Sequence, residues 1–387
     1  MPLDTPLDTP AQPPAIIRDE ASRTFLLTRL ADARALLSDR TYWKDADKAE
    51  AGALVRTFKP ADMNRPGDRD SGIGWMDDPE HARVRPVIAQ ALNRRVAAAR
   101  PVIERTVQAA LDALAGLDAF DIVADYAQPI PIAVVGHILG VDTADLAQFR
   151  AWSEAAIAVF LPESAGPGAA ATKAASEAIS DHLDALMARR RRAPGEDLIS
   201  DLLAAQGEGR LSDSEIRVNC MNLLLGGNVT TADLIASAAW LLLSHPDELA
   251  RVRAEPGLID GAIEETLRLE PPTGGAQRIA SRDVTIHGCP VRAGQVVAAM
   301  FRPAHRDPAV FTNPEAFRIA RREGPHIAFG GGPHICIGAA LARLEARVAV
   351  GRLFARFPGL RLADPAAPPA WRPTPIFRGL DHLDVRP

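Results

Sequence analysis

Cys336 lies in the run Phe329-Gly330-Gly331-Gly332-Pro333-His334-Ile335-Cys336-Ile337-Gly338, where one thiol is set in a tight glycine-rich loop ahead of a helix-forming stretch, Ala339 to Val350. Gly330, Gly332 and Gly338 allow positive φ and close backbone approach, so amide N–H groups can turn toward the sulfur and a flat macrocycle can lie against the loop. The partial positive charge at the start of the following helix favours the ionised sulfur, which is the form that ligates a metal. The chemistry this predicts is one thiolate offered to one iron. By itself a lone cysteine is most often a small buried hydrophobe. Cys220 and Cys289 have no comparable setting.

Two further constellations carry chemistry. In Leu225-Gly226-Gly227-Asn228-Val229-Thr230-Thr231, adjacent glycines interrupt a helical pattern, each costing about 1 kcal/mol relative to alanine. A helix crossing the face of a macrocycle needs side chains missing there, and a neighbouring hydroxyl can loosen the i→i−4 ladder to admit oxygen and water. Tight helix packing explains two glycines equally well. Glu265-Thr266-Leu267-Arg268 sets a carboxylate and a guanidinium three residues apart on one helix face.

The elements that must position these groups are mainly helical. Residues 15–40 predict a short strand pair, Ala15-Ile16-Ile17 and Thr24-Phe25-Leu26-Leu27, and then a helix from Leu30. Residues 56–77, rich in Gly, Pro, Asp and Arg without a period, read as a long loop. From Glu80 the apolar spacing is helical through Leu92, Val102 and Leu111, and further helices are expected at 127–140, 143–160, 170–192 and 196–205, with a mobile break at Pro162 to Gly168. Ser212-Asp213-Ser214-Glu215 is a capping signal. It opens a helix of about 30 residues, roughly 45 Å long, that ends at Ser244-His245-Pro246. Helices at 247–254 and 257–269, strands within 276–299 and a Pro-rich tail over 361–387 complete an expectation of a mainly α fold with small β-sheets, α+β in class.

Composition excludes several function classes. The chain has 387 residues, of which 47% are hydrophobic and 24% charged, enough for a large core. A net charge of −5 argues against nucleic-acid binding, which needs a basic face. Arg189 to Arg192 reads as a solvated helix end, whereas Arg83, Arg85, Arg94, Arg95 and Arg100 invite a functional reading. The longest apolar stretch, Ala232 to Leu243, is too short to span a bilayer, and residues 1–14 lack the features of a signal peptide. These residues are expected to form a flexible Pro-rich N-terminus preceding a single domain over 15–387. Three cysteines without framework spacing fit a reducing, cytoplasmic compartment.

The loop around Cys336 matches every fixed position of Phe-Gly-x-Gly-x-His-x-Cys-x-Gly, and on that match the chain resembles the cytochrome P450 family. The resemblance implies haem b held between the long distal helix and the Cys336 loop. Cys336 is then the proximal ligand, Phe329 packs beside the sulfur, and Gly330, Gly338 and Gly227 border the macrocycle. Haem carries two propionates, which need cationic or hydrogen-bonding partners when buried. The stretch Asp78 to Arg85 resembles the family's helix whose His81 and Arg85 face one propionate; Arg278 meets the other, and His334 bonds one as well. Segment 225–231 resembles the distal-helix motif small-Gly-x-acid-Thr-Thr, with Thr230 on the oxygen-activating threonine and Asn228, Val229 and Thr231 completing the catalytic group. The acid position is Val229, which cannot relay protons. Asp233, one turn on, is either a substitute relay or a solvated or locally paired aspartate; Asn228, ordered water or the substrate are the other sources. Glu265 and Arg268 match the family's buried Glu-x-x-Arg pair, bonded to a loop resembling Ala304 to Phe317.

The implied activity is insertion of one oxygen atom from O2 into a small hydrophobic substrate, with electrons from a separate ferredoxin or flavodoxin-type partner and a monomeric enzyme. Arg94, Arg95, Arg343 and Arg347 are candidates for that partner's docking surface. The pocket is expected to draw on Ile73, Trp75, Met76, Phe160, Leu161, Leu224, Gly227, Thr273 to Gly275 (with Gly274), Ile376 and Phe377, of which Trp75 and Phe377 are equally plausible as core. Val229 keeps open a peroxide-driven enzyme, and a haem-based sensor of little turnover is the alternative from another class.

Overall fold

The computed structural model describes residues 14–57, 72–142, 148, 151, 152, 155, 168–374 and 376–387. Most of the predicted N-terminal segment, much of the loop 56–77, most of the expected helix 143–160, the break after it, and Phe160 and Leu161 lie outside these residues.

The long distal helix is the axis of the fold. It runs from Asp213 to Ser244, and its start is fixed locally: Ser212 Oγ accepts the Glu215 N–H at 3.2 Å while Glu215 Oε2 accepts the Ser212 N–H at 2.8 Å. This reciprocal pairing satisfies two of the donors that every helix start leaves free. We number helices in chain order: α1 Leu30–Ser38, α2 Glu80–Ala97, α3 Arg100–Ala113, α4 Pro129–Leu139, α5 Gly168–Arg192, α6 Leu198–Gly207, α7 Asp213–Ser244, α8 Pro246–Ala254, α9 Ile259–Leu269, α10 Phe301–Ala304 and α11 Ala339–Arg356. Helix α7 packs against α4, α5, α9 and α11, so most of its length is buried. The helical pattern read from Glu80 onward breaks at Ala98-Ala99, and Pro101 in the first turn of α3 starts a second helix where its missing N–H costs nothing. Gly140 ends α4 at φ 88°, a left-handed cap that glycine adopts without strain.

Four strands, β1 Ile16–Asp19, β2 Thr24–Leu27, β4 Gly275–Ile279 and β7 Val296–Met300, form a sheet in the order β1-β2-β7-β4, in which only β2 and β7 run parallel. This sheet carries Arg278 toward α1. A second sheet joins β3 Phe120–Asp121, β9 Asp384–Arg386 and β8 Arg361–Leu362, and a two-stranded hairpin joins β5 Val284–Ile286 to β6 Cys289–Val291.

Arg189, Arg191 and Arg192 are exposed, as expected of a solvated helix end, with Arg189 and Arg191 pairing at the surface with Asp142 and Asp213; Arg190 turns inward, pairing with Asp197 and donating to the Gly140 carbonyl at 3.0 Å. Among the described residues, the one run of membrane-spanning length and apolarity is Ile122–Leu139, a π-helical turn continued by α4, and 67% of it is buried inside the fold; the stretch around Ala232 does not qualify. Tyr126, in its π-helical turn, donates to the Ala349 carbonyl of α11 at 2.7 Å.

Candidate active site

The Cys336 loop is shaped by glycine at two positions. Gly330 has φ 74° and Gly332 φ 62°, and a Cβ at Gly332 would collide with the Leu37 carbonyl of α1. Gly338 differs from expectation: it has φ −84° as the N-cap of α11, and its role is proximity, since a Cβ there would stand 3.8 Å from Cys336 Sγ. The Cys336 N–H donates to the Phe329 carbonyl at 2.9 Å, which closes the loop. Arg343 stacks on the Phe329 ring at 4.4 Å. The sulfur is open to the cavity yet walled by protein atoms. Desolvation therefore raises its pKa, while the Gly338 and Ala339 N–H groups and the Arg85 and Arg343 guanidiniums pull it down. The helix-start effect expected from the sequence is present but does not prevail on its own.

Across a cavity of ≈ 460 Å³ stands α7, presenting Gly226, Gly227, Thr230 and Thr231. A Cβ at Gly226 would meet nothing within 4 Å, and one at Gly227 only Val135 Cγ2 at 3.9 Å. Tight helix packing therefore does not require these glycines. They leave open a slot between α7 and the sulfur. The helix is unbroken through this stretch, and Thr230 Oγ1 donates to the Gly226 carbonyl at 2.6 Å, back-bonding into its own helix.

At one edge of the cavity, positive and polar groups converge without enough acids among the described residues to match them. The His81 and His334 rings stack with centroids 4.0 Å apart, and His81 Nε2 and His334 Nδ1 are buried without partners. Burial, with Arg278, Lys44 and Arg85 nearby, drives the His334 pKa to about 2. Arg278 is 3% exposed; it donates to its neighbour's Gln277 carbonyl at 2.9 Å and otherwise makes only long bonds, 3.4 Å to the Leu37 carbonyl and 3.5 Å to that of Gly331, and burial lowers it to about 10. Lys44 is lowered to about 7, chiefly by burial and next by Arg278. Arg85 donates to the Ile335 carbonyl. A buried surplus of donors is costly unless an anion completes it. Two carboxylates on the rim of a flat group would do so, and the slot over the sulfur would take its plane. The residues present therefore fit haem.

The structure brings Cys336, Phe329, Gly330, Gly338, Gly227, Thr230, Thr231, Arg85, His334, Ile73, Trp75 and Phe377 to one cavity. It does not place all the expected lining there. Leu224 is fully buried and Met76 nearly so, both within the main hydrophobic core. Gly274 spends its backbone on the Ile376 carbonyl at 2.8 Å and the Phe301 N–H at 3.0 Å, so it and Ile376 serve as scaffold for Phe377. Asn228 is buried and Val229 half-buried, and neither lines the cavity. Arg94 and Arg95 pair with Asp201, and Arg343 and Arg347 with Glu264 and Asp260, so these cations are largely neutralised within the chain. Of the four, only Arg343 and Arg347 border the hollow outside the Cys336 loop.

Asp233 is resolved as the locally paired aspartate. It is 4% exposed, pairs with Arg372 of the C-terminal segment and does not line the cavity. Gly379 leaves room for this contact, since a Cβ there would collide with both partners. Desolvation raises the Asp233 pKa from 3.8 to about 7 against the pull of Arg372. The folded state thus holds a proton that the unfolded chain releases. The resulting stabilisation is complete below pH 4 and is lost as pH rises through about 7. Asp233→Asn should flatten this decline, seen as a wild-type urea midpoint that falls more than the variant's between pH 5 and 8.

Two groups were missed by the sequence reading. Lys44 follows a helix in an irregular segment, where nothing local marks it. Glu345 could have been found: on α11 it falls between Leu341 and Val348, at the spacing of a buried stripe. It lines the cavity, its Oε2 has no partner, and burial holds its carboxyl pKa well above the ordinary range.

With the geometry in place, comparison with known proteins identifies the class. The family described as Cytochrome P450 matches residues 160–360. Nocardicin C N-oxygenase of Nocardia uniformis subsp. tsuyamanensis is 40% identical over 370 residues, covering 93% of this chain and 89% of that protein. The 6-deoxyerythronolide B hydroxylase of Saccharopolyspora erythraea is 38% identical over 369 residues, covering 94% and 90%. The solved structure of epothilone D-bound cytochrome P450epoK superposes with a TM-score of 0.88 at 32% identity, covering 97% and 93%. The chain belongs to the cytochrome P450 family. It is a haem monooxygenase, its cofactor is Cys-ligated haem b, and it works with a substrate, dioxygen and a redox partner.

Proposed function

We propose that this enzyme, as one haem domain over 15–387, inserts one oxygen atom from O2 into a small hydrophobic substrate, with electrons from a separate ferredoxin or flavodoxin-type protein. The observation that carries the reading is the slot between Cys336 and the two glycines of α7, closed at one edge by the unpartnered His81 and His334 nitrogens. Cys336 would ligate the iron, and His81, Arg85, Arg278, His334 and Lys44 would hold the propionates. Bound there, thiolate-ligated haem supplies oxygen activation. The chain's own residues do the rest. Apolar walls from Ile73, Trp75, Val135 and Phe377 exclude water and hold an apolar ligand. Thr230 Oγ1 carries a hydroxyl proton on the cavity side of α7. Arg343 and Arg347 border the hollow beneath the loop, and although Glu264 and Asp260 offset much of their charge, this is where an acidic partner would meet the chain. A monomeric, cytoplasmic enzyme fits these parts. The test is turnover: a surrogate ferredoxin and reductase should support product formation with O2, and peroxide alone should support less.

Val229 favours a second reading, in which peroxide brings its own protons and electrons. Val229→Asp should raise the fraction of electrons ending in product rather than in peroxide if the native chain is short of a relay. A buried carboxylate costs several kcal/mol unless it is hydrogen-bonded, so coupling is to be measured on folded, haem-replete protein. If Val229→Asp is inert and Thr230→Ala is harmless as well, the peroxide-driven reading moves to first place.

A further inference from the structure

We propose that Asn222 is a specificity-determining residue that anchors a neutral, largely apolar substrate through one hydrogen bond to an oxygen atom remote from the carbon that is oxidised. The proposal rests on the monooxygenase reading and names the substrate class of that site.

Helix α7 turns two asparagines toward the cavity, Asn219 and Asn222. They are in different states. Asn219 Oδ1 accepts the Ile73 N–H at 2.9 Å and its Nδ2 donates to the Glu215 carbonyl at 2.7 Å, so both ends of that amide serve the fold. Asn222 is half-buried and makes no hydrogen bond among the described residues. Space is kept for it: a Cβ at Gly72 would stand 2.7 Å from Asn222 Nδ2, so a larger residue at 72 would crowd the amide. Its neighbours on the cavity face of α7 are Leu223 and Gly226, and Val135 and Ile138 of α4 line the same cavity. A carboxamide in such a wall loses water when an apolar ligand enters and is left unpaired unless the ligand replaces that water. Since the amide carries no charge and both donates and accepts, the matching group is a ketone, ester, amide or hydroxyl oxygen rather than an ion.

The helix also sets a length. Asn222 and Thr230 are eight residues apart, about 12 Å along the axis at 1.5 Å per residue. A substrate held at Asn222 and oxidised beside Thr230 must carry its oxygen roughly two helical turns from the reacting carbon. Thr273, on the segment leading into β4, adds a hydroxyl to the same cavity.

The test compares two isomers of equal composition, 2-undecanone and 6-undecanone, whose carbonyl stands near one chain end or at the middle. Binding to the haem-loaded enzyme is measured by equilibrium dialysis, with the reduced-carbonyl spectrum recorded on the same samples. The wild type should bind 2-undecanone about fivefold more tightly, as expected for one added hydrogen bond, and oxidise it in the half remote from the carbonyl. Asn222→Leu, and the isosteric Asn222→Asp, which cannot donate to a ketone, should both bring the ratio to about one with haem content and carbonyl spectrum unchanged. Equal binding of the isomers by wild type, or a preference that persists in both variants, overturns the proposal while leaving the monooxygenase reading standing. A wild type without the thiolate-type carbonyl spectrum overturns that reading, and the proposal with it.

Discussion

Cys336→Ser is expected to give a protein without the thiolate-type reduced-carbonyl absorbance of its family and with reduced haem content. Serine can keep the loop, because the Cys336 N–H bond to the Phe329 carbonyl and the positive φ of Gly330 and Gly332 do not involve the sulfur. What changes is the donor atom: an alcohol is a far poorer ligand to ferric iron than a thiolate. Neither remaining cysteine can substitute. Cys220 is fully buried within α7, with its thiol pushed up to about 12, and Cys289 sits on β6 in the separate hairpin. A carbonyl spectrum identical to the wild type would remove Cys336 from the role of ligand.

The parts of this site that were legible in the sequence are those encoded by short spacing. The Cys336 loop, the Ser212 capping box and the Glu265–Arg268 pair each occupy a single turn or loop, so neighbouring residues fix their geometry. Pairings across long separations were not legible from spacing, and the bonds from the Glu265–Arg268 pair to the loop over Ala304 to Phe317 were expected only through the family resemblance. Asp233 meets Arg372, and Arg321 bonds Glu265, only because the C-terminal segment and the loop after α10 return to the helices. Helical spacing also left the inward face uncertain by one residue: Leu223 lines the cavity and Leu224 faces the core. Since α7 is buried on most sides, its sequence is apolar all round and carries no polar stripe to orient it.

Glu265→Ala and Arg268→Ala should each cost on the order of 3 to 5 kcal/mol, the loss expected when one partner of a buried pair is removed. That is a large part of the roughly 5 to 15 kcal/mol that holds a typical domain folded. Both side chains are 3% exposed, and they meet in a two-pronged contact with both bonds at 2.8 Å. The pair is also a hub. Arg268 donates to the carbonyls of His305, Pro314 and Ala316 at 2.9, 2.7 and 3.1 Å, while Glu265 Oε1 accepts from the Arg318 N–H at 3.1 Å and Arg321 Nε at 2.9 Å. His305 extends the hub to the ligand loop. Its Nε2 accepts the Ile327 N–H at 2.9 Å, so its Nδ1 carries the proton and donates to the Arg268 carbonyl at 2.9 Å. Burial keeps that ring neutral, as the arrangement requires. Two residues beyond Ile327 begins the run that ends in Cys336. Glu265→Ala should be the worse variant, since it leaves the Arg268 guanidinium without a carboxylate and removes one of the two that Arg321 shares with Glu323, whereas Arg268→Ala leaves Glu265 paired with Arg321. Arg268→Lys should rescue little, because an ammonium cannot reproduce the fork that bonds the carboxylate and three carbonyls at once. Soluble yield, haem content and urea midpoint report the effect, and full haem occupancy with unchanged melting in both alanine variants would show that α9 does not hold the ligand loop in place.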